Sequence, residues 1–244
     1  MFIYGKRPVQ ELLKSEHPVK RLILARELDA RESASYQNWA GQRRIPVEYD
    51  HKSRLQKWCG PVIHQGVLAE IDEYHYVDAN HLSRLIKKAD IPVVLLLDQI
   101  QDTHNLGAII RTSEICGVTA VILPVKTSAA INPTVAKTSA GAIFHIPVCL
   151  TSNLHQLIKD LKDHKLAVLA LSQGQKNHIF EADLTVPLAL VIGSEGKGLR
   201  KSILNECDDR ISIPQSGRLD SLNVSVSAAV TLFEIMRQRR YSRK

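Results

Sequence analysis

Three short polar segments of this chain hold the residues whose types and spacing could do chemistry. The first runs from Asp98 into Asn105-Leu106-Gly107-Ala108-Ile109-Ile110-Arg111-Thr112. Asn105 stands where a helix N-cap belongs. Gly107 and Ala108 keep the first turn slim enough for another backbone to approach, and the Arg111 guanidinium can reach a phosphate or carboxylate near the helix start. The plainer reading is a capped helix with a solvated arginine. The second segment, Gly193-Ser194-Glu195-Gly196-Lys197-Gly198, has a glycine spacing that fits neither GxxxxGK[ST] nor GxGxxG, which disfavours a nucleotide phosphate loop and ordinary dinucleotide binding. In so open a loop, Glu195 either serves a site or caps the helix expected at Leu199 to Asn205. The third segment runs from Ile213-Pro214 through Gly217-Arg218-Leu219-Asp220 to Ser221-Leu222-Asn223. There, Ser221 and Asn223 either cap the last helix or turn polar atoms toward a substrate while neighbouring backbone holds a cofactor.

Other chemistries find no support. The ten histidines form no HExxH, and Cys59, Cys116, Cys149 and Cys207 form no CxxC pair, so we expect no metal. The cysteines read as reduced thiols of a cytoplasmic protein. A GxSxG elbow is missing, which disfavours α/β-hydrolase chemistry. No apolar run approaches ~18 residues, so no membrane span is expected, and the N-terminus lacks the apolar stretch of a secretory signal.

All three segments follow apolar runs, and those runs suggest how the segments are positioned. Val93 to Leu97, Ala120 to Leu123, Ile146 to Leu150, Leu166 to Leu171 and Leu188 to Ile192 read as strands buried on both faces. Helical patterns lie between them, at Leu106 to Cys116, Pro133 to Gly141, Leu154 to Lys162 and Leu199 to Asn205, and a last helix runs to about Arg240. This alternation predicts an α/β fold, a mostly parallel sheet with helices on both faces. A composite site would then lie at the carboxyl ends of its strands. Residues 1–76 read as a separate small α/β module, with strands at Val19 to Ala25, Pro46 to Tyr49 and Gly66 to Ile71 and helices at Glu32 to Arg43 and Ser53 to Cys59. Residues 77–90 read as a linker with a helical turn at Leu82 to Lys88, and 91–244 as the second domain. At 44% hydrophobic, the 244 residues suffice for one or two cores.

The net charge of +7 suggests a polyanionic partner, but the last eight residues, Arg237 to Lys244, carry five of those seven charges. That tail could touch RNA, or its cations could simply complement a helix C-terminus. A second basic group, Arg43, Arg44, Lys52, Arg54 and Lys57, lies in the N-terminal module. Aromatic residues are too scarce, at 5%, for a broad base-stacking platform.

Taken in order and spacing, the three segments resemble the SpoU (TrmH) branch of the SPOUT RNA methyltransferases, over roughly Ile91 to Arg240. Tyr4-Gly5 with Val9, and His64-Gln65-Gly66-Val67, resemble the substrate-binding domain of the members that act on 23S rRNA, which is L30/L7Ae-like. This resemblance implies a C-terminal α/β-knot, a deep trefoil knot with a mostly parallel sheet, beside a small N-terminal RNA-binding domain. It implies S-adenosyl-L-methionine as cofactor, contacted by Gly193, Ile213 and Leu222, and a polar active site of Asn105, Arg111, Glu195, Ser221 and Asn223. The implied reaction is 2′-O-methylation of a ribose, a guanosine in 23S rRNA, by a homodimer. The alternatives are a tRNA ribose 2′-O-methyltransferase, a methyltransferase conferring antibiotic resistance, or a non-catalytic ribosome-assembly protein of the same fold. The run Gly217 to Asp220 is more charged than the family pattern suggests.

Overall fold

The computed structural model describes residues 1–196, 198–219 and 221–241. In chain order the elements are β1 (Phe2–Tyr4), α1 (Lys6–Lys14), β2 (Arg21–Ala25), α2 (Ala30–Gln42), β3 (Val47–Asp50), α3 (Lys52–Cys59) and β4 (Val67–Glu70). They continue with α4 (Ala79–Lys88), β5 (Val93–Leu97), α5 (Thr103–Ile115), β6 (Ala120–Pro124), α6 (Pro133–Thr138) and a 3-10 turn at Ala142–Phe144. Last come β7 (Val148–Thr151), α7 (Leu154–Asp163), β8 (Ala167–Leu171), β9 (Leu188–Ile192), α8 (Lys201–Leu204), β10 (Asp209–Ile211) and α9 (Val224–Tyr241). The chain divides into two compact units, Met1–His75 with Ile131–His145, and Tyr76–Ala130 with Ile146–Lys244.

The second unit is built on a parallel sheet ordered β10-β8-β9-β5-β6-β7. β5 and β9 are buried along their whole length, as their unbroken apolar runs require. Val94, Leu96, Ala120, Ile122, Val168, Ala189 and Val191 form one layer with Leu82 and Ile86 of α4, Leu154, Ile158 and Leu161 of α7, and Ile203 of α8. The alternate residues of the same strands, Leu95 and Leu190 among them, point to the other face and are equally buried. α5 and α9 pack on each other and bury Leu106, Ile109, Ile110, Leu232 and Ile235. In the stretch expected to link two domains, α4 spans ten residues and sends Leu82 and Ile86 into the core, leaving its polar residues outside.

The first unit carries a mixed sheet ordered β1-β4-β2-β3, antiparallel at β1/β4 and β4/β2 and parallel at β2/β3. Two elements had no clear sequence signal: β1, only three residues long, and α1, charge-rich with Pro8 in its first turn, where proline is tolerated. The basic group anticipated here is dispersed. Arg43 is spent on the carbonyls of Leu12, Leu13 and His17 at the end of α1, and Arg54 pairs with Asp50.

Candidate active site

The neighbours β5 and β9 mark the place where strand order reverses. From β5 the chain proceeds outward to β6 and β7, and from β9 it leaves in the other direction, toward β10. Ligands of open parallel sheets sit at such switch points, beyond the carboxyl ends of the strands. The segments that follow β5 and β9 contain the first two polar motifs.

Asn105 lies inside α5 rather than at its cap. The N-cap is Asp102, whose carboxylate accepts the Asn105 backbone N–H at 2.7 Å. Capping three residues earlier frees the Asn105 side chain, which donates to Glu195 Oε2 at 3.4 Å and accepts from the Asn223 amide at 3.1 Å. That same amide also donates to Glu195 Oε2 at 3.2 Å. The Asn223 oxygen accepts the Ser225 backbone N–H at 2.9 Å and the Ser225 hydroxyl at 2.6 Å. The Asn223 oxygen therefore caps α9, and its nitrogen is engaged by Asn105 and Glu195. Glu195 does not cap the following helix; α8 starts only at Lys201, after Arg200 and without a side-chain cap bond.

Three of the five expected polar residues thus meet: Asn105, Glu195 and Asn223. Two do not join them. The Arg111 side chain is exposed and makes no hydrogen bond or ion pair among the described residues. Six residues past Asn105, it lies roughly 9 Å further along the helix and is turned about 240° around it. Helical side chains lean back toward the helix N-terminus, which shortens the separation a long arginine must span. Ser221 is exposed in the loop before α9.

Of the expected cofactor positions, Gly193 is buried and packed tightly. A β-carbon there would overlap the Gly198 carbonyl and the Leu199 nitrogen. Only glycine lets the loop fold back this closely, and it closes with Gly198 N–H donating to Ser194 O at 2.9 Å. Ile213 is half-buried, while Leu222 is 38% and Leu219 83% exposed. Lys197 and Asp220 lie outside the described residues, as do Ser242 to Lys244 of the basic tail.

One pair went unmarked in the sequence. Asp98, directly after β5, is fully buried, and its carboxylate accepts Nε and Nη2 of Arg200, both at 2.9 Å. Its backbone N–H donates to Ile192 O at 2.8 Å. A two-pronged arginine–carboxylate contact is geometrically specific, and this one ties the end of β5 to the loop that carries Glu195. The available signal was the acid that ends the five-residue apolar run Val93–Leu97.

Residues 92–233 match the SpoU rRNA Methylase family. The chain belongs to that family. Residues 2–77 match the RNA 2′-O ribose methyltransferase substrate-binding domain, and this SpoU protein is an RNA methyltransferase. It is 36% identical over 244 residues to the 23S rRNA (guanosine-2′-O-)-methyltransferase RlmB of Pseudomonas putida, covering 99% of this chain and 98% of that one. A Bacillus subtilis protein placed in the TrmH family of tRNA/rRNA methyltransferases is 33% identical over 239 residues, 98% of this chain and 96% of that one. In fold, the SpoU chain resembles the methyltransferase AviRb of Streptomyces viridochromogenes in complex with AdoMet, with a TM-score of 0.81 at 23% identity, over 98% of this chain and 90% of that one. It also resembles an AdoMet-bound rRNA methyltransferase of Sinorhizobium meliloti, with a TM-score of 0.78 at 23% identity, over 97% and 87% of the two chains.

No helix among the described residues is long and apolar enough to cross a membrane.

Proposed function

We propose that this protein transfers the methyl group of S-adenosyl-L-methionine to a guanosine 2′-hydroxyl of 23S rRNA. The observation that carries this reading is the convergence of Asn105, Glu195 and Asn223 at the β5/β9 switch point. The choice of rRNA guanosine leans on the Pseudomonas putida relative, which matches along nearly its whole length.

The surroundings suit the cofactor. An adenosine needs backbone donors and acceptors beside apolar walls. The tight Gly193 loop offers the first, and Ile213 with the exposed Leu222 offers the second. When bound, the cofactor supplies a sulfonium-activated methyl group and a good leaving group. The 2′-oxygen takes that methyl group as the bond to sulfur breaks and its proton passes to solvent, so alignment is what is left to this chain. Asn105 and Asn223, locked by each other and by Glu195, present fixed polar atoms for orienting a ribose. Ser221 adds a hydroxyl in the loop before α9. Arg111 offers five N–H donors in a planar fork and no acceptor. Its part is therefore to hold the neighbouring phosphate and to stabilise charge developing on the 2′-oxygen.

Two copies would act together. α5 and α9 expose Ile115, Val226 and Phe233, an apolar stripe suited to a second chain. The trefoil knot of the family belongs to the same reading.

The test is calorimetry with S-adenosyl-L-methionine, followed by mapping of 2′-O-methyl groups after incubation with 23S rRNA and with tRNA. The expected result is donor binding and one modified guanosine in the rRNA. Methyl groups found only on tRNA would overturn the substrate, and absence of donor binding would overturn the enzyme.

A further inference from the structure

Charge is unevenly placed around the four-stranded sheet of the N-terminal unit. β1, β2 and β3 run one way and β4 the other, so the residues after Tyr4, Ala25 and Asp50 meet those before Val67 at one end. Backbone bonds knit that end together, from Gly5 to Val67, Arg26 to Asp50 and Ala25 to Gly66. Arg7, Arg26 and Lys52 stand there, exposed, and none has an ion-pair partner among the described residues. Other cations on this unit are paired: Lys14 with Glu11, Lys20 with Asp72, Arg21 with both Glu48 and Glu70 and, at this same end, Lys6 with Glu32.

Lys137 reaches the same end from α6. Its ammonium donates to Gln65 Oε1 at 2.9 Å, and that oxygen also accepts the Lys6 backbone N–H at 3.1 Å. Gln65 is exposed and holds φ at 56°, a left-handed conformation uncommon outside glycine. Gly5 makes the arrangement possible, since a β-carbon there would collide with the ammonium. Burial pulls the Lys137 pKa below the ordinary lysine value. A half-buried cation near the unpaired Arg7, with one neutral oxygen as its hydrogen-bond partner, adds little to stability. The same placement suits a chain of phosphates.

We propose that this end of the sheet grips the RNA, with Lys137, Arg7, Arg26 and Lys52 on its phosphates. The inference rests on the RNA-methylating reading above, and it adds a location. It also assigns to the RNA-holding surface a lysine from well outside residues 1–76, within the stretch that matches the methylase.

The test measures binding of the full-length protein to a 23S rRNA transcript across a salt series. Lys137→Gln and Arg7→Gln should each weaken binding about three- to tenfold and lower the salt slope by roughly one counterion. Lys57→Gln, in the last turn of α3 at the other end of the unit, should leave both unchanged. Unaltered affinity for S-adenosyl-L-methionine in each variant checks that the fold is intact. Wild-type affinity and slope in both Lys137→Gln and Arg7→Gln, or an equal loss in Lys57→Gln, would overturn the surface. Should the wild-type protein methylate rRNA while those two variants bind like it, the surface alone is wrong. A wild-type protein that binds the donor but neither binds nor methylates rRNA removes the underlying reading, and the surface with it.

Discussion

The amide of Asn223 donates to the side-chain oxygen of Asn105 at 3.1 Å, joining positions 118 residues apart in the chain. One side chain thereby fastens the start of α9 to the first turn of α5 while its oxygen caps α9. Asn223→Ala removes both functions. We expect it to cost about 1 kcal/mol of stability through the lost cap and to slow methyl transfer about 10²-fold through misalignment. Asn223→Asp keeps the capping oxygen but turns a second carboxylate oxygen toward Glu195 and the Asn105 oxygen, so only part of the stability should return and activity should not. Urea titration with single-turnover kinetics separates the two. Equal activity in the aspartate variant and the wild type would show that the amide has no part in alignment.

Arg111 stands exposed, without a partner among the described residues, so its replacement should leave stability within about 0.5 kcal/mol. Arg111→Ala should lower methyl transfer by about 10²- to 10³-fold. Arg111→Lys keeps the charge without the planar fork and should recover part of it. Donor affinity, read by calorimetry, should not move. Near-normal transfer in both variants would remove Arg111 from the mechanism.

The Asp98–Arg200 pair predicts a different pattern. Asp98 is fully buried, whereas the Arg200 side chain is 39% exposed. Arg200→Ala strands a buried carboxylate, with an expected loss of about 3 kcal/mol. Asp98→Asn with Arg200 intact should cost less, because a neutral amide can remain in the same place. Because the pair anchors the loop carrying Glu195, Arg200→Ala should also weaken donor binding. A denaturation midpoint unchanged by Arg200→Ala would show that water replaces the guanidinium without penalty.

His17 gives the N-terminal unit a pH dependence. Its ring lies 5.3 Å from those of Tyr74 and Phe144. Burial, followed by the nearby charges of His75, Arg43 and His145, holds its pKa below the ordinary histidine value. The folded protein therefore binds this proton less readily than the unfolded chain, and stability rises with pH through that window. The contribution is complete above about pH 6.5, the unfolded value, and is lost as pH falls toward the folded one. His64, also held low by burial, acts in the same direction. His17→Phe should flatten, but not abolish, the fall in urea midpoint between about pH 6.5 and 5. Superimposable profiles for variant and wild type would contradict this.

The parts of the fold that were legible in sequence are those where one physical demand dominates. Val93–Leu97 and Leu188–Ile192 must be apolar on both faces, and both strands fall where that pattern puts them. β10, three residues at the sheet edge with Asp209 and Arg210 exposed, carries no such signature. Within the candidate site, the order of the motifs singled out Asn105, Arg111, Glu195, Ser221 and Asn223, of which only Asn105, Glu195 and Asn223 meet. The assignment of Asn105 as a cap failed because the helix starts three residues earlier, where Asp102 accepts the Asn105 N–H, so the donors an Asn105 cap would take already lie inside the helix. The Asp98–Arg200 contact spans 102 residues, and no local pattern encodes a partner so distant.

Residues 131–145 belong to the same compact unit as Met1–His75 although the chain on either side of them does not. α1 and α6 pack together there; Tyr74 donates to the Ile143 carbonyl at 2.9 Å, and Glu11 bonds His145 at 2.9 Å. Severing the polypeptide once, near Tyr76, would therefore yield two damaged fragments rather than two working halves. The shorter would lack a wall, and the longer would bare Ala136 and Phe144 to water. Grafting this module onto another enzyme would require transplanting two stretches of gene together.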